Sequence, residues 1–246
     1  DVVGDILGLN RCSISWGDYD NDGWLDLAIA GKSATVGVTS VRRFRVYRNN
    51  KNDTFAMLEP EPENGGEPHW GVTMCSLGWG DHDNDGDLDL AVAGIDAHDG
   101  YTTGVDGDLR RFRIYKNNDG TFDPNQITPE PEPDLGGGLK GNGWSNGYWC
   151  SLAWGDYDND GDLDAAITGT DISGDAWFMV YKNKGSDVFS FDELMPEPGF
   201  GVQRASLAWG DYDNDGDLDV AIAGSNGNSY KFRIYKSKQS ELGNIN

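Results

Sequence analysis

Long apolar runs are missing from this sequence of 246 residues. Uninterrupted apolar stretches are short pieces such as 90–93, far from the roughly 20 residues that span a bilayer, so membrane insertion is not expected. Cysteine is scarce: Cys12, Cys75 and Cys150 cannot all pair, and each stands four residues before a tryptophan, which marks them as small packing residues rather than staples. Histidine is scarcer in function than in number. His69, His82 and His98 form no Ser/His/Asp or Cys/His pattern, so no catalytic residue is expected. Proline is low at 9 residues against 35 glycines, and 37% of the chain is apolar, which suits a globular protein rich in tight turns and argues against disorder. The sequence opens at Asp1 without a Met or a charged-then-apolar leader, so location has to come from chemistry.

Cations are also few, 19 Lys and Arg against 42 Asp and Glu, for a net charge of −23. Nineteen of those acids fall in four segments, 18–26, 81–89, 156–164 and 211–219, and the remainder is nearly balanced. The acidity is therefore local, and without a basic surface no nucleic acid partner is expected.

Those segments belong to a repeat. SISWGDYDNDGWLDLAIAG at 13–31 returns as SLGWGDHDNDGDLDLAVAG at 76–94, SLAWGDYDNDGDLDAAITG at 151–169 and SLAWGDYDNDGDLDVAIAG at 206–224. A second element follows each, FRVYRNN, FRIYKNN, FMVYKNK and FRIYKSK, beginning at Phe44, Phe112, Phe178 and Phe232. A Pro-Glu-rich segment closes the first three units. Periods of this length built from short strands indicate a stacked array.

Alternation supplies the strands. Cys75, Leu77 and Trp79 oppose Ser76 and Gly78, while Leu88, Leu90 and Val92 oppose Asp89, Ala91 and Ala93. Each small sheet then has one bulky face and one Ala/Ser/Gly face. Packing the bulky face of one unit on the small face of its neighbour covers both, which is the logic of radial blades. The expected fold is all-β: a β-propeller of four four-stranded blades in one domain, 1–246, as a closed four-blade ring or part of a larger ring or assembly. The blades are placed at about 11–62, 73–133, 148–198 and 203–246. Fourth strands are expected near Phe55, Phe122 and Phe189; unit four lacks one, and 1–9 is a candidate to supply it.

In D-x-D-N-D-G-x-x-D, carboxylates at positions 1, 3, 5 and 9 can converge on one hard cation. Calcium accepts six to eight oxygens, backbone carbonyls included, and suits this set. The expected ligands are Asp18, Asp20, Asp22 and Asp26; Asp81, Asp83, Asp85 and Asp89; Asp156, Asp158, Asp160 and Asp164; and Asp211, Asp213, Asp215 and Asp219. Position 7 is Trp24, Asp87, Asp162 and Asp217, and the tryptophan implies that this position lends its carbonyl. About four Ca2+ ions are expected, one per loop. An EF-hand is excluded because position 12 is Ile29, Val92, Ile167 or Ile222 rather than Glu.

The four loops with their flanking Trp-Gly and Ala-x-Ala-Gly segments resemble the FG-GAP/VCBS repeats of integrin α-subunit propellers and of many secreted bacterial proteins. The resemblance implies a propeller, commonly of seven or eight blades, with calcium between the first two strands of each blade. It also implies an extracellular or cell-surface location.

Outside the repeat, Trp70, Trp144, Tyr148, Trp149 and Trp177, with His69 and Phe200, lie in or beside Gly/Asn-rich insertions and are candidates for ligand binding as well as for packing between blades. Arg43, Arg45, Arg111, Arg113 and Arg233 are expected on a solvated strand face. The expected role is a non-enzymatic scaffold or adhesion module presenting loops to a protein or glycan ligand. Alternatives are a carbohydrate-binding lectin, a subunit of an extracellular fibre or surface layer joined as a homo-oligomer or filament through unpaired end strands, and a calcium-dependent polysaccharide lyase.

Overall fold

The computed structural model describes residues 8–33, 42–58, 71–96, 109–123, 150–170, 176–191 and 201–237. Among them there is no helix. Unit one contributes β1 (Leu9–Gly17), β2 (Asp26–Ser33), β3 (Arg42–Asn49) and β4 (Phe55–Leu58). Unit two contributes β5 (Val72–Gly80), β6 (Asp89–Asp96), β7 (Leu109–Tyr115), β8 (Asn117–Asn118) and β9 (Thr121–Phe122). Unit three holds β10 (Ser151–Gly155), β11 (Asp164–Thr170), β12 (Ala176–Asn183) and β13 (Phe189–Phe191); unit four holds β14 (Gln203–Gly210), β15 (Asp219–Ser225) and β16 (Tyr230–Tyr235).

Within each unit, neighbouring strands in sequence pair antiparallel. Alternation predicts four four-stranded sheets, but the ladders form sheets of seven, four, three and two strands. Two local events account for the difference. A single pair, Arg43 opposite Val72, joins units one and two, and the third strand of unit two breaks at Lys116, so β9 pairs the short continuation β8 instead of β7. Leu9, part of a candidate segment for a strand completing unit four, pairs Ser33 within β1; 1–7 lie outside the described residues.

The first strands carry a bulge that explains two features of the repeat. Arg11, Met74 and Arg204 sit in the left-handed region at φ 51, 53 and 49°, and the β1/β2, β5/β6 and β14/β15 registers shift there. The bulge presses the next residue, Cys12, Cys75 or Ala205, against the glycine that ends the Ala-x-Ala-Gly segment. A Cβ on Gly31, Gly94 or Gly224 would lie 2.6, 2.9 or 2.8 Å from that residue's Cβ. Small side chains are required on both sides, and all three cysteines are free thiols.

Bulky faces pack on small faces, always toward the preceding unit. Cys75, Leu77, Leu90, Val92 and Tyr115 of unit two share a core with Ala28, Ala30, Phe44 and Val46 of unit one. Leu152, Ile167 and Tyr181 meet Ala91, Ala93, Phe112 and Ile114, and Leu207, Val220 and Ile222 meet Ala166, Phe178 and Val180. At each seam a tryptophan lies on a glycine of the preceding unit. The ring of Trp79 comes within 2.7 Å of where a Gly17 Cβ would be, that of Trp154 within 2.9 Å at Gly80, and that of Trp209 within 2.7 Å at Gly155. The indole Nε1 then donates to the backbone carbonyl two residues before that glycine: Trp79 to Ser15 at 3.2 Å, Trp154 to Gly78 at 3.1 Å, Trp209 to Ala153 at 3.3 Å.

Gly155→Ala should therefore cost about 1–3 kcal/mol of folding stability by forcing the part-buried Trp209 indole off its seat. The matched Gly210→Ala, where no described atom lies within 4 Å, should stay within about 0.5 kcal/mol of the parent in denaturant titration.

Candidate metal centres

Each acidic loop is shaped by its own first aspartate. Asp18 accepts the N–H groups of Asp22 (3.0 Å) and Gly23 (2.9 Å), and Asp81, Asp156 and Asp211 do the same for the fifth and sixth residues of their loops at 3.0–3.1 Å. The fifth aspartate accepts the N–H of the seventh residue at 2.9–3.1 Å. These bonds need the chain to turn through the left-handed region twice. Asn21, Asn84, Asn159 and Asn214 (φ 53–59°) and the glycines two residues on (φ 86–96°) supply it, which is why the N-D-G core recurs.

The turn gathers carboxylates. Ligand atoms lie within 4.8 Å of one another for Asp18, Asp20 and Asp22, for Asp81, Asp83 and Asp85, for Asp156, Asp158 and Asp164, and for Asp211, Asp213 and Asp219. Positions 1 and 3 take part in every loop, position 5 in the first two and position 9 in the last two. Buried Oδ1 atoms of Asp20, Asp83 and Asp158 have no hydrogen-bond donor. Acceptors buried without a donor are costly unless a cation reaches them, so these clusters can hold a hard divalent ion.

A protein cation already reaches each cluster. Arg48 Nε lies 2.5 Å from Asp20, Lys116 contacts Asp83, Lys182 contacts Asp158, and Lys236 contacts Asp213. Lys51, Lys182 and Lys236 also reach the fifth aspartate at 2.9–3.2 Å. Sequence reasoning missed these four residues in or just after the third strands. The signal was present: a basic residue follows the repeat tyrosine in all four units, after Tyr47, Tyr115, Tyr181 and Tyr235.

The ninth aspartate has a second role that its motif position does not announce. Asp26, Asp89, Asp164 and Asp219 are fully buried. One oxygen accepts the N–H of the second loop residue (Tyr19, His82, Tyr157 or Tyr212) at 3.0–3.2 Å, and the other that of Asn49, Asn117, Asn183 or Ser237 at the third strand's end, at 2.7–2.9 Å. Burial pushes the carboxyls of Asp26 and Asp164 up to about 6 and about 7, against the lowering effect of those N–H groups.

Position 7 also carries more than a carbonyl. Asn21 of unit one donates to the Gly86 carbonyl and, at 2.6 Å, to Asp87 of unit two. Asn84 reaches Gly161 and Asp162 (2.9 Å), and Asn159 reaches Gly216 and Asp217 (2.8 Å), in the same way. Trp24, at position 7 of unit one, offers no carboxylate for such a bond. His82, in the place of a tyrosine, is buried between Asp89 (Nδ1, 2.5 Å) and Asp187 (Nε2, 3.1 Å).

Of the aromatics singled out in the sequence, Trp177 lies on β12 and is part-exposed; Trp70, Trp144, Tyr148 and Trp149 fall outside the described residues. Arg43, Arg45 and Arg113 are half-buried, contrary to the solvated face expected for them, because the third strand runs between two packed neighbours; Arg233, on the last unit, is exposed.

The titrations set a direction for metal-free protein. Asp26 and Asp164 have raised folded pKa values, and Asp89 and Asp187 hold His82 above its ordinary value although burial opposes this. All three favour the folded state when protonated; the contribution of Asp26 and Asp164 is complete at low pH and is lost as pH rises through about 6–7, and that of His82 is lost in the same direction. Asp22 and Asp83, despite burial, and Asp215 are held below the usual carboxylate range by Lys51, Lys116 and Lys236, and their contribution disappears only in stronger acid. In chelator, the thermal midpoint should therefore fall from about pH 5 to about pH 7. Scanning calorimetry across that range checks it.

No helix among the described residues is long and apolar enough to cross a membrane. No curated protein matches the chain. The family model for the FG-GAP-like repeat matches residues 18–92 and 156–222, both of which contain the loops described above. With more than half of its length matched and the same loop in every unit, this chain belongs to the FG-GAP-like repeat family.

Proposed function

We propose that the chain is an extracellular, calcium-binding β-propeller module of four blades that works as a non-enzymatic scaffold and presents its inter-strand loops to a protein or glycan ligand. The observation that carries this reading is the fourfold recurrence of a carboxylate cluster with ligand atoms within 4.8 Å. In three of the four loops it includes a buried oxygen lacking a donor. Calcium is favoured over magnesium because the donors are all oxygens in a flexible turn, with room for carbonyls and water. Position 1 and 3 aspartates, Asp18 and Asp20, Asp81 and Asp83, Asp156 and Asp158, and Asp211 and Asp213, would form the common part of each site. Positions 5 and 9 would add oxygens, and position 7 a carbonyl.

Bound ions would replace the protein's own cations at the carboxylates and tie the loop more firmly to the strands it joins. Such sites fill readily where free calcium is abundant, which accords with the extracellular setting typical of the family. A module stiffened in this way holds variable loops in fixed relative positions, the property that a binding scaffold needs.

Saturating calcium should raise the thermal midpoint and excess chelator should lower it; a midpoint indifferent to both would overturn the calcium reading. Lys182→Gln removes the ammonium that competes for Asp158 and Asp160. It should tighten calcium binding several-fold in isothermal titration while lowering the metal-free midpoint. The ligand reading is tested on a glycan array in calcium: binding abolished by Trp144→Ala would make the module a lectin, and a protein ligand would leave the array blank.

A further inference from the structure

His82 differs from its counterparts in the repeat: Tyr19, Tyr157 and Tyr212 fill the same loop position in the other units. Its ring is fully buried and lies beside Phe189 of unit three, with centroids 5.9 Å apart. Both ring nitrogens meet carboxylates. Nδ1 is 2.5 Å from Asp89 in its own unit, and Nε2 is 3.1 Å from Asp187 of unit three. Asp83 completes the group, because one ligand atom from each of His82, Asp83 and Asp187 lies within 4.8 Å of the others. Oδ1 of Asp83 is buried without a hydrogen-bond donor.

Asp187 belongs to the turn between β12 and β13, in which Gly185, Ser186 and Asp187 take left-handed φ values of 71, 54 and 62°. Asn183 ties that turn to the loop of unit two. Its Oδ1 accepts the Gly185 N–H at 2.9 Å while its Nδ2 donates to the His82 carbonyl at 2.7 Å, so the turn and the histidine are fixed to each other through backbone. The seam before it offers an internal control. Gly120 stands two residues before Phe122 as Asp187 stands two before Phe189, and a Cβ on it would lie 2.9 Å from the Asp20 Cβ and 3.9 Å from the Tyr19 ring. Facing a tyrosine, the turn therefore brings no side chain; facing the histidine, it brings a carboxylate.

We propose that His82, Asp83 and Asp187 bind a divalent transition-metal ion of the zinc class, which cross-links unit two to unit three. The hydrogen bond to Asp89 keeps a proton on Nδ1 and leaves Nε2 directed at Asp187, and a ring nitrogen and a carboxylate oxygen so close attract only with a proton or a metal ion between them. A carboxylate behind the far nitrogen is the usual support of a metal-bound imidazole. The 3.1 Å from Nε2 to Asp187 is near the edge of about 3.3 Å that bonds of about 2.0 Å give in a tetrahedral site. An imidazole nitrogen selects zinc-like ions, whereas calcium takes oxygens. The ammonium of Lys116, in contact with Asp83 and 3.9 Å from Asp187, marks the negative potential there and competes for the same oxygens. Asp83 also belongs to the acidic loop of unit two, and its two oxygens can serve two cations. The site depends on His82 and not on whether calcium fills the loops.

The test is isothermal titration of the 246-residue chain with Zn2+ in saturating calcium, which keeps the acidic loops from scavenging the probe. One site per chain is expected, and Co2+ in place of Zn2+ should give it a visible absorption band. His82→Tyr, which installs the residue of the other units, and Asp187→Asn, which keeps the shape of the turn, should each weaken Zn2+ binding at least about tenfold and remove the Co2+ band, with unchanged circular dichroism. The double variant His69→Gln/His98→Gln should keep both signals. A parent without a zinc site, a site that survives either His82→Tyr or Asp187→Asn, or one lost with His69 and His98 would overturn the inference. Thermal midpoints with and without calcium, measured on the parent, separate the two readings: a chain indifferent to calcium that still binds Zn2+ through His82 retires the calcium reading alone.

Discussion

The buried aspartate at the ninth position of each acidic loop is the interaction on which the rest of a unit depends. Asp26, Asp89, Asp164 and Asp219 sit where the second strand begins, out of reach of water, and each uses both oxygens on backbone N–H groups from two other places. One bond fixes the start of the loop and the other fixes the end of the third strand, so a single side chain sets three segments of backbone against one another. Removing it would leave two buried donors unpaired, a larger cost than the loss of an ordinary surface contact.

From that fixed point the unit meets its neighbour through contacts that small residues make possible. Glycine at the end of the first strand lets an indole lie on bare backbone, alanines on the second strand accept the next unit's Leu, Ile and Val, and the loop asparagine crosses to the following loop. Acidic loops and seams are therefore one structure. Asn21, Asn84 and Asn159 lie inside the acidic turns and yet bind the adjacent unit, so ordering a turn with a cation orders a seam as well. Electrostatics points the same way: Arg48, Lys116, Lys182 and Lys236 reduce the repulsion among carboxylates from within the unit, the task a divalent ion would take over.

Much of this was legible in the amino-acid sequence. Fourfold recurrence, strict alternation on either side of the loop and the N-D-G turn residues determine the number of units, their strands, the bulky and small faces, and the convergence of the first and third aspartates, because period, side-chain size and backbone permissiveness are local properties. Tertiary structure decided the rest. Whether the fifth or the ninth aspartate joins a cluster differs between units carrying the same motif. The bulges at Arg11, Met74 and Arg204, the joining of units one and two through Arg43 and Val72, and the cations at the loops depend on which residues meet across strands distant in the sequence. The meaning of Trp24 emerged only when its counterparts were seen to bind a preceding unit: a repeat states what each position contains, and packing alone states what each position touches.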